Sequence, residues 1–357
     1  MPDAADQQHQ LYVQWLNAHA SEPDVLQLDV VATPEFAAAG WILPLDRFHP
    51  PAGAFFQATI EANRWNGSLY ALPWFVDVGL LYWRTDLLGA APATFDELAT
   101  SVARAQREHS IPFGFVWPGA RYEGLVTVFQ EYLYGFGGRF LDDSGHAIVD
   151  SDAGVRALTW MRDSIYQMHI VPADVLAWQE EQTRLAFQNG RAVAMRNWPY
   201  AASLLEDRAA SRVAGQFGIS LMPHAPGGTS VATLGGQQLA INARTRRPDI
   251  AYALVAHLTS PDQMLERARI AGEYPSRPAL YDNRALAGAI HAAPNDVRRI
   301  IDHAVPRPVT PVYAELSELL QVELHRALTR QAEPGAALHD AATKMNALLQ
   351  RAKLVEP

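Results

Sequence analysis

The sequence predicts an α/β protein of two domains, and three observations carry that reading. A chain of 357 residues with 49% hydrophobic content is longer than one ordinary core organises. Short runs rich in β-branched and aromatic residues alternate with segments of helical period along most of its length. Residues 78–83 are apolar throughout, as in a strand buried on both faces of an α/β sheet. That run follows Asn66-Gly67, a two-residue hairpin signal in which both residues tolerate positive φ. Pro73 interrupts the strand after the hairpin and brings Trp74 and Phe75 to its end, with Asp77 beside them. A carboxylate at the mouth of a buried strand either caps backbone N–H groups or accepts hydrogen bonds from a ligand, and this stretch alone leaves both readings open.

The remaining elements follow from the same rules. Residues 7–20 place Leu11, Trp15 and Ala18 at helical spacing, and Glu22-Pro23-Asp24 ends that helix. Residues 25–31 read as a short buried strand with Asp29 near its end. Thr33-Pro34-Glu35 opens a helix with proline in its first turn, closed by Gly40. Thr94 with Glu97 forms a capping box for a helix to about residue 108. A strand is expected over 112–117, a loop over 118–124, and then a helix through Phe129 and Tyr132. Short strands are expected over 139–141 and 147–149 around a polar turn at Asp142, Asp143 and Gly145, which lacks the ligand spacing of a calcium loop. Helices over 151–169 and 180–189 come next, the second capped by Gly190, then a strand over 191–195 and a helix with Pro199 in its first turn. Residues 233–242 form a strand interrupted by Gly235-Gly236, a candidate hinge where backbone approaches closely. Ser260-Pro261 starts a further helix, residues 273–277 form an irregular turn, and Thr310-Pro311 opens the first of two long C-terminal helices.

Composition excludes several functions. With 29 Lys and Arg against 38 Asp and Glu, the net charge is −9, and without basic blocks the chain is a poor partner for nucleic acid. The absence of cysteine excludes disulfides, thiolate metal sites and cysteine nucleophiles. No apolar run approaches the roughly 20 residues needed to span a bilayer, and the start, MPDAADQQHQ, has no signal-peptide pattern. P-loop, nucleophile-elbow, zinc-protease and dinucleotide-binding motifs are all missing. The 12 histidines are scattered singly, so no metal or cofactor is expected. What recurs instead is an aromatic beside a carboxylate or amide: Trp74 with Asp77, Tyr122 with Glu123, Trp178 with Glu180 and Glu181, and Asn197 with Trp198. Sugar recognition uses this combination, because pyranose C–H faces stack on aromatics while vicinal hydroxyls pair with charged or amide groups.

Six segments carry a resemblance: LDVVATPEFAAAGWILPLD (28–46), NGSLYALPWFVDVGLLYWRTDLL (66–88), RYEGL (121–125), FQNGRAVAMRNWPYA (187–201), LGGQQLAIN (234–242) and EYPSRPALY (273–281). Together they resemble the extracellular solute-binding proteins of sugar ABC importers, and among these the trehalose/maltose-binding type. The resemblance implies a two-lobed periplasmic-binding-protein-like α/β fold of type II, with crossover strands and hinge closure over a saccharide. It implies one lobe from residues 1–82 and 240–303 and another from 83–239 and 304–357. Crossovers are then expected near 81–84, 236–239 and 304–311. It also implies a non-enzymatic, periplasmic or extracellular monomer that serves ABC importer permease subunits. The implied ligand contacts are Asp77, Tyr122, Glu123, Trp198, Gly235, Gly236 and Arg277, with Asp29, Trp178 and Gln237 beside them. Arg277 would grip two hydroxyls bidentately, unless it forms an inter-lobe salt bridge.

Three departures from the family pattern stand out. Ala32 and Gln237 occupy positions where the family commonly has tryptophan, so two stacking walls are expected to be missing. The family usually begins with a signal peptide and a strand–helix–strand unit ahead of the helix at residue 7. Without that unit the strand at 25–31 would present an unpaired edge, and a chain extended upstream is expected to be more stable. A second reading is a glycoside-processing enzyme, with a carboxylate pair drawn from Asp77, Glu123 and Glu180 or Glu181. A third is a vestigial protein that binds nothing.

Overall fold

Strict alternation of side chains builds the first sheet. In this computed structural model, which describes residues 5–355, Val25–Asp29, Gln237–Ile241 and Ala71–Pro73 form an antiparallel sheet with Gln237–Ile241 at its centre. Residues 1–4, part of the start inspected for a signal peptide, and residues 356–357 lie outside the description. Because a strand turns alternate residues to opposite faces, Leu239, Ile241 and Leu72 join one cluster with Phe55, Val255 and Met264. Ala240, Ala71, Leu26 and Leu28 join another with Tyr12, Leu16 and Phe36. The helix Ala5–Asn17 supplies Tyr12 and Leu16 to that second cluster, and Thr33–Ala38 supplies Phe36. Ala32 packs there too, only 6% exposed. The hairpin is as expected: Arg64–Trp65 pairs with Ser68–Leu69 across Asn66 and Gly67, at φ 47° and 84°.

The chain separates into two compact units. Unit 1 comprises the chain up to Val78 together with Leu234–Ala314, and unit 2 comprises Gly79–Thr233 together with the chain from Glu315 onward. The changeovers therefore fall at 78/79, 233/234 and 314/315, beside the 81–84, 236–239 and 304–311 positions read from sequence. The reason is visible in the pairing. Leu80–Arg84 lies whole in the sheet of unit 2, between Ala192–Asn197 and Phe217–Ser220, with Phe113–Val116 parallel to Ala192–Asn197. Gln237–Ile241 lies whole in the sheet of unit 1.

Against the core of unit 2 stand Phe95–His109, Glu123–Gly135 and Asp152–Tyr166. The first opens with the expected capping box, in which Thr94 Oγ1 accepts the Glu97 N–H at 3.1 Å and Glu97 answers to the backbone of Thr94. Phe95 stacks on Tyr132 with ring centroids 4.8 Å apart and on Phe136 at 5.1 Å, and Trp160 closes the group. Tyr313–Leu328 and Pro334–Arg351 are the two long C-terminal helices, the first beginning two residues after the proline expected to start it.

Three expectations are corrected. Residues 78–83 are not one strand: Asp77–Val78 pairs with Leu234 and Gly235 in unit 1, and Gly79 separates it from Leu80–Arg84 in unit 2. An apolar run records burial but not a change of sheet, which here takes place at a glycine. Residues 139–141 and 147–149 contribute only an isolated bridge between Leu141 and Ala147; the Asp142 side chain draws in the N–H groups of Ser144 and His146 instead. Glu123 is the first residue of a helix rather than part of a loop, with Tyr122 at the N-cap.

Candidate functional site

In unit 1, one strand segment gathers most of the candidates. Asp29 lies opposite Gln237 and Asp77 opposite Gly235 in antiparallel ladders, so both carboxylates flank residues 235–237. Gly236 adopts φ 105°, and a Cβ there would lie 2.3 Å from the Phe75 carbonyl oxygen. Only glycine satisfies both conditions. Its carbonyl accepts the Val30 N–H at 3.1 Å, and that of Gln237 accepts the Trp74 N–H at 2.9 Å. The close approach expected of the double glycine is thus an approach to Phe75 within the same unit. The Gln237 side-chain oxygen is buried and has no hydrogen-bond partner among the described residues.

Asp29 is held by two donors, the Val31 N–H at 3.2 Å and Arg307 Nη2 at 3.3 Å. The side chain of Arg307 is only 3% exposed, and it also reaches the Leu234 carbonyl at 3.5 Å. Asp77 lies near Tyr274, whose hydroxyl is buried and has no hydrogen-bond partner among the described residues. Burial, reinforced by the Asp77 charge, pushes that phenol well above its ordinary value. Tyr274 therefore keeps its proton and stays a donor. Arg277 stands apart from this group: its Nε donates to the Thr259 carbonyl at 2.9 Å, and its guanidinium lies 4.2 Å over the Phe55 ring. Burial lowers its pKa from the ordinary arginine value. Trp74, read beside Asp77 in the sequence, is covered by Arg267, 3.7 Å from the ring centroid. Arg267 in turn pairs with Glu273, whose carboxyl is pushed up by burial in spite of that partner.

Unit 2 arranges its candidates around Trp198. The strand Ala192–Asn197 is buried at every position and delivers Trp198 half-buried just past its end. The backbone of Trp198 is fixed by two side chains: Asn197 Oδ1 accepts its N–H at 2.8 Å, and the Tyr82 hydroxyl donates to its carbonyl at 2.7 Å. Its Nε1 donates to Glu180 Oε1 at 3.3 Å, and the Arg196 guanidinium carbon stands 4.1 Å from its ring centroid, within cation–π range. Glu180 also sits beside Tyr122. The Tyr122 hydroxyl is buried and without a partner of good hydrogen-bond geometry among the described residues. Burial first, then the Glu180 charge, raise its pKa far above the usual phenol range. Tyr122, Glu180, Arg196 and Trp198 therefore form one group.

The other acids nearby have separate duties. Glu181 binds Arg184 Nη2 at 2.6 Å and accepts the Tyr200 hydroxyl at 2.7 Å, and the Arg184 hydrogen bond leads in holding its carboxyl below the ordinary value. Glu123 receives the Ser317 hydroxyl. Trp178 packs edge-on against Phe113 with centroids 5.8 Å apart. Its carbonyl takes the N–H groups of Gly119 and Ala120, both at 3.0 Å, so it shapes the loop that presents Tyr122.

Sequence reasoning missed Arg307, Tyr274, Glu131 and Arg196. For Arg196 a signal existed, since it is the charged residue in an otherwise uncharged buried strand, AVAMRN. Glu131, inside the buried run of the helix EGLVTVFQEYLYG, offers the same clue. Arg307, in PRP, and Tyr274 had none, because only the fold brings them to Asp29 and Asp77.

Two α/β units, each assembled from separated chain segments and each carrying polar and aromatic side chains at strand ends, define a class of binding proteins. Residues 12–265 match the bacterial extracellular solute-binding proteins, and the chain belongs to that family. A probable ABC transporter-binding protein of Deinococcus radiodurans is 35% identical over 353 residues, covering 95% of this chain and 83% of the relative. Among solved structures, maltose-bound T. maritima MalE3 is 41% identical with a TM-score of 0.91, covering 98% of this chain and 90% of that one. A Thermotoga lettingae ABC transporter solute-binding protein bound with α-D-tagatose is 26% identical with a TM-score of 0.85, covering 96% and 89%. The fold is that of the two-lobed type II binding proteins, and the family binds solutes rather than transforming them, which sets aside the glycosidase reading. Among the described residues no helix is long and apolar enough to cross a membrane.

Proposed function

We propose that this chain captures a saccharide, a disaccharide or short oligosaccharide of the trehalose/maltose kind, and delivers it as a periplasmic or extracellular monomer to the permease of an ABC importer. The observation that carries the reading is the Trp198 ring, half-buried, clamped by Glu180 and Arg196 beside a protonated Tyr122. A tryptophan face with a carboxylate and phenol at its edge offers both things a pyranose needs, a stacking surface and hydrogen-bonding groups. Taken by itself, unit 1 offers hydroxyl-binding groups of its own in Asp29, Asp77 and the backbone at 235–237. The maltose found on a structure that is 41% identical favours a glucose disaccharide.

One feature widens the choice of ligand. Gln237 stands where the family commonly has tryptophan, whereas Ala32 is packed into the core of unit 1. With less aromatic area at 237, the reading extends to saccharides longer than maltose or differently shaped. Arg277 is held through Nε by Thr259 and lies over Phe55, which leaves its two Nη groups as the donors it would offer a ligand.

Thermal-shift measurement against a saccharide panel that includes maltose, trehalose and longer glucans tests the proposal. A ligand at 100 times its Kd adds about 2.7 kcal/mol to stability, which such a scan resolves. Stabilisation by at least one sugar, abolished in Trp198→Ala, is expected. No shift with any sugar would overturn the reading and leave a vestigial binder.

A further inference from the structure

The chain enters unit 2 at Gly79 and passes back to unit 1 after Thr233. Within unit 2 these two residues touch, the Gly79 N–H donating to the Thr233 carbonyl at 3.1 Å. Both rest on one ion pair. Glu131 and Arg196 have side chains 0% exposed, and Arg196 Nε and Nη2 donate to the two carboxylate oxygens at 2.9 and 2.6 Å. The same Glu131 Oε1 accepts the Thr233 N–H at 3.3 Å. One helical turn earlier, the Thr127 carbonyl accepts the Thr233 hydroxyl at 2.8 Å. Gly79 lies so close that a Cβ would fall 1.7 Å from Glu131 Oε1 and 2.5 Å from Arg196 Nη2. Glycine is required here by proximity to the pair.

The same guanidinium lies over the Trp198 ring, its carbon 4.1 Å from the centroid, and Arg196 Nη1 is buried with no hydrogen-bond partner among the described residues. A buried pair of this kind adds little net stability, because desolvation offsets much of the Coulomb attraction. Its geometry, however, is steeply constrained, since any displacement weakens charge-assisted bonds in a low dielectric. One guanidinium thus has two dependants, the ring proposed to stack on sugar and the backbone at the points where the chain changes unit.

We propose that Glu131–Arg196 is a positioning device that couples the Trp198 wall to the strands at Gly79 and Thr233, so that a sugar seated on Trp198 alters the rigidity of the crossing backbone. The part concerning sugar rests on the saccharide reading above; the coupling of ring to backbone does not. In these terms Arg196 contacts no ligand and acts through Trp198, and the two ends of the coupling are linked by the differential energy of one ion pair.

Amide hydrogen exchange on the whole chain, resolved at Gly79 and Thr233, tests the coupling without sugar. In Glu131→Gln and Arg196→Lys both amides are expected to exchange about tenfold or more faster than in the wild type, with the helix Pro334–Arg351 keeping its rate. Trp198→Ala, which leaves the pair intact, is expected to speed exchange at Thr233 about threefold, and Trp198→Phe to restore it. Unchanged exchange at Thr233 in Trp198→Ala, or at both amides in Arg196→Lys, overturns the proposal. With maltose as probe, Arg196→Lys is expected to raise Kd at least about tenfold, and wild-type affinity in that variant overturns the sugar arm. If the wild type binds no maltose, the sugar arm is run with whichever saccharide of the panel stabilises the chain; if none does, the saccharide reading is what has failed, and the exchange data still decide the coupling. Should Glu131→Gln not fold, Arg196→Lys and the two Trp198 variants carry the test.

Discussion

In unit 1 the candidate carboxylates are set mainly by backbone: the ladders place Asp29 and Asp77 opposite Gln237 and Gly235, with the buried Arg307 side chain adding a bond to Asp29. In unit 2 the candidate aromatics are carried by side chains, Trp198 leaning on Arg196 and Glu180, and Arg196 on Glu131. The difference predicts how each fails. A backbone-held group tolerates most side-chain changes except at the glycine that permits the approach, whereas a chain of buried side chains fails when any member is removed.

The largest effect is therefore expected at the buried pair. Glu131→Ala leaves Arg196 as an uncompensated buried charge and should cost about 3–5 kcal/mol, measured by urea unfolding; a loss under about 1 kcal/mol would erase the contrast between the units. In unit 1 the corresponding weak point is Gly236. Gly236→Ala combines positive φ with a backbone overlap and should cost about 1–3 kcal/mol, while Gln237→Ala, at a side chain making no hydrogen bond through its oxygen, should cost clearly less in the same assay.

A smaller effect concerns pH. Because burial raises the Glu273 pKa in the folded state, its contribution to stability is fully present below the ordinary carboxylate value of about 4.3 and is lost as pH rises through the raised value. Glu273→Gln removes that titration. The Tm of the variant minus that of the wild type should therefore climb as pH rises across the range, and a flat difference would contradict the assignment. The smallest effect is expected at Arg47–Asp249, whose side chains are 54% and 87% exposed. Asp249→Ala should change stability by no more than about 0.5 kcal/mol in either direction.

Much of the architecture was legible because it follows local rules. The Thr94 capping box, the Asn66-Gly67 turn and the break at Gly235-Gly236 are each set by residues within a few positions of one another. The change of sheet at Gly79 was not legible, since nothing in VDVGLLYWR says which partner each half takes; that depends on Leu234 for one and on Ala192–Asn197 for the other. The candidate site divides along the same line. An acid beside Tyr122 and an amide beside Trp198 marked these two in sequence, and Asn197 does hold the Trp198 backbone, yet the acid that meets the indole is Glu180, 18 positions away. Arg307 reaches Asp29 across 278 positions, a distance no local pattern spans.

The strand order of unit 1 also sets an order of events during synthesis. Gln237–Ile241 is the central strand between Val25–Asp29 and Ala71–Pro73, so the two earlier strands wait for it, with the whole of Gly79–Thr233 emerging in between. The sheet of unit 2 is complete once Phe217–Ser220 has been made. Units tend to fold as their segments become available, and long-range closure is slow. The second unit to begin is accordingly the first whose sheet can finish, and the segment up to Val78 spends that interval with its central partner strand still unmade.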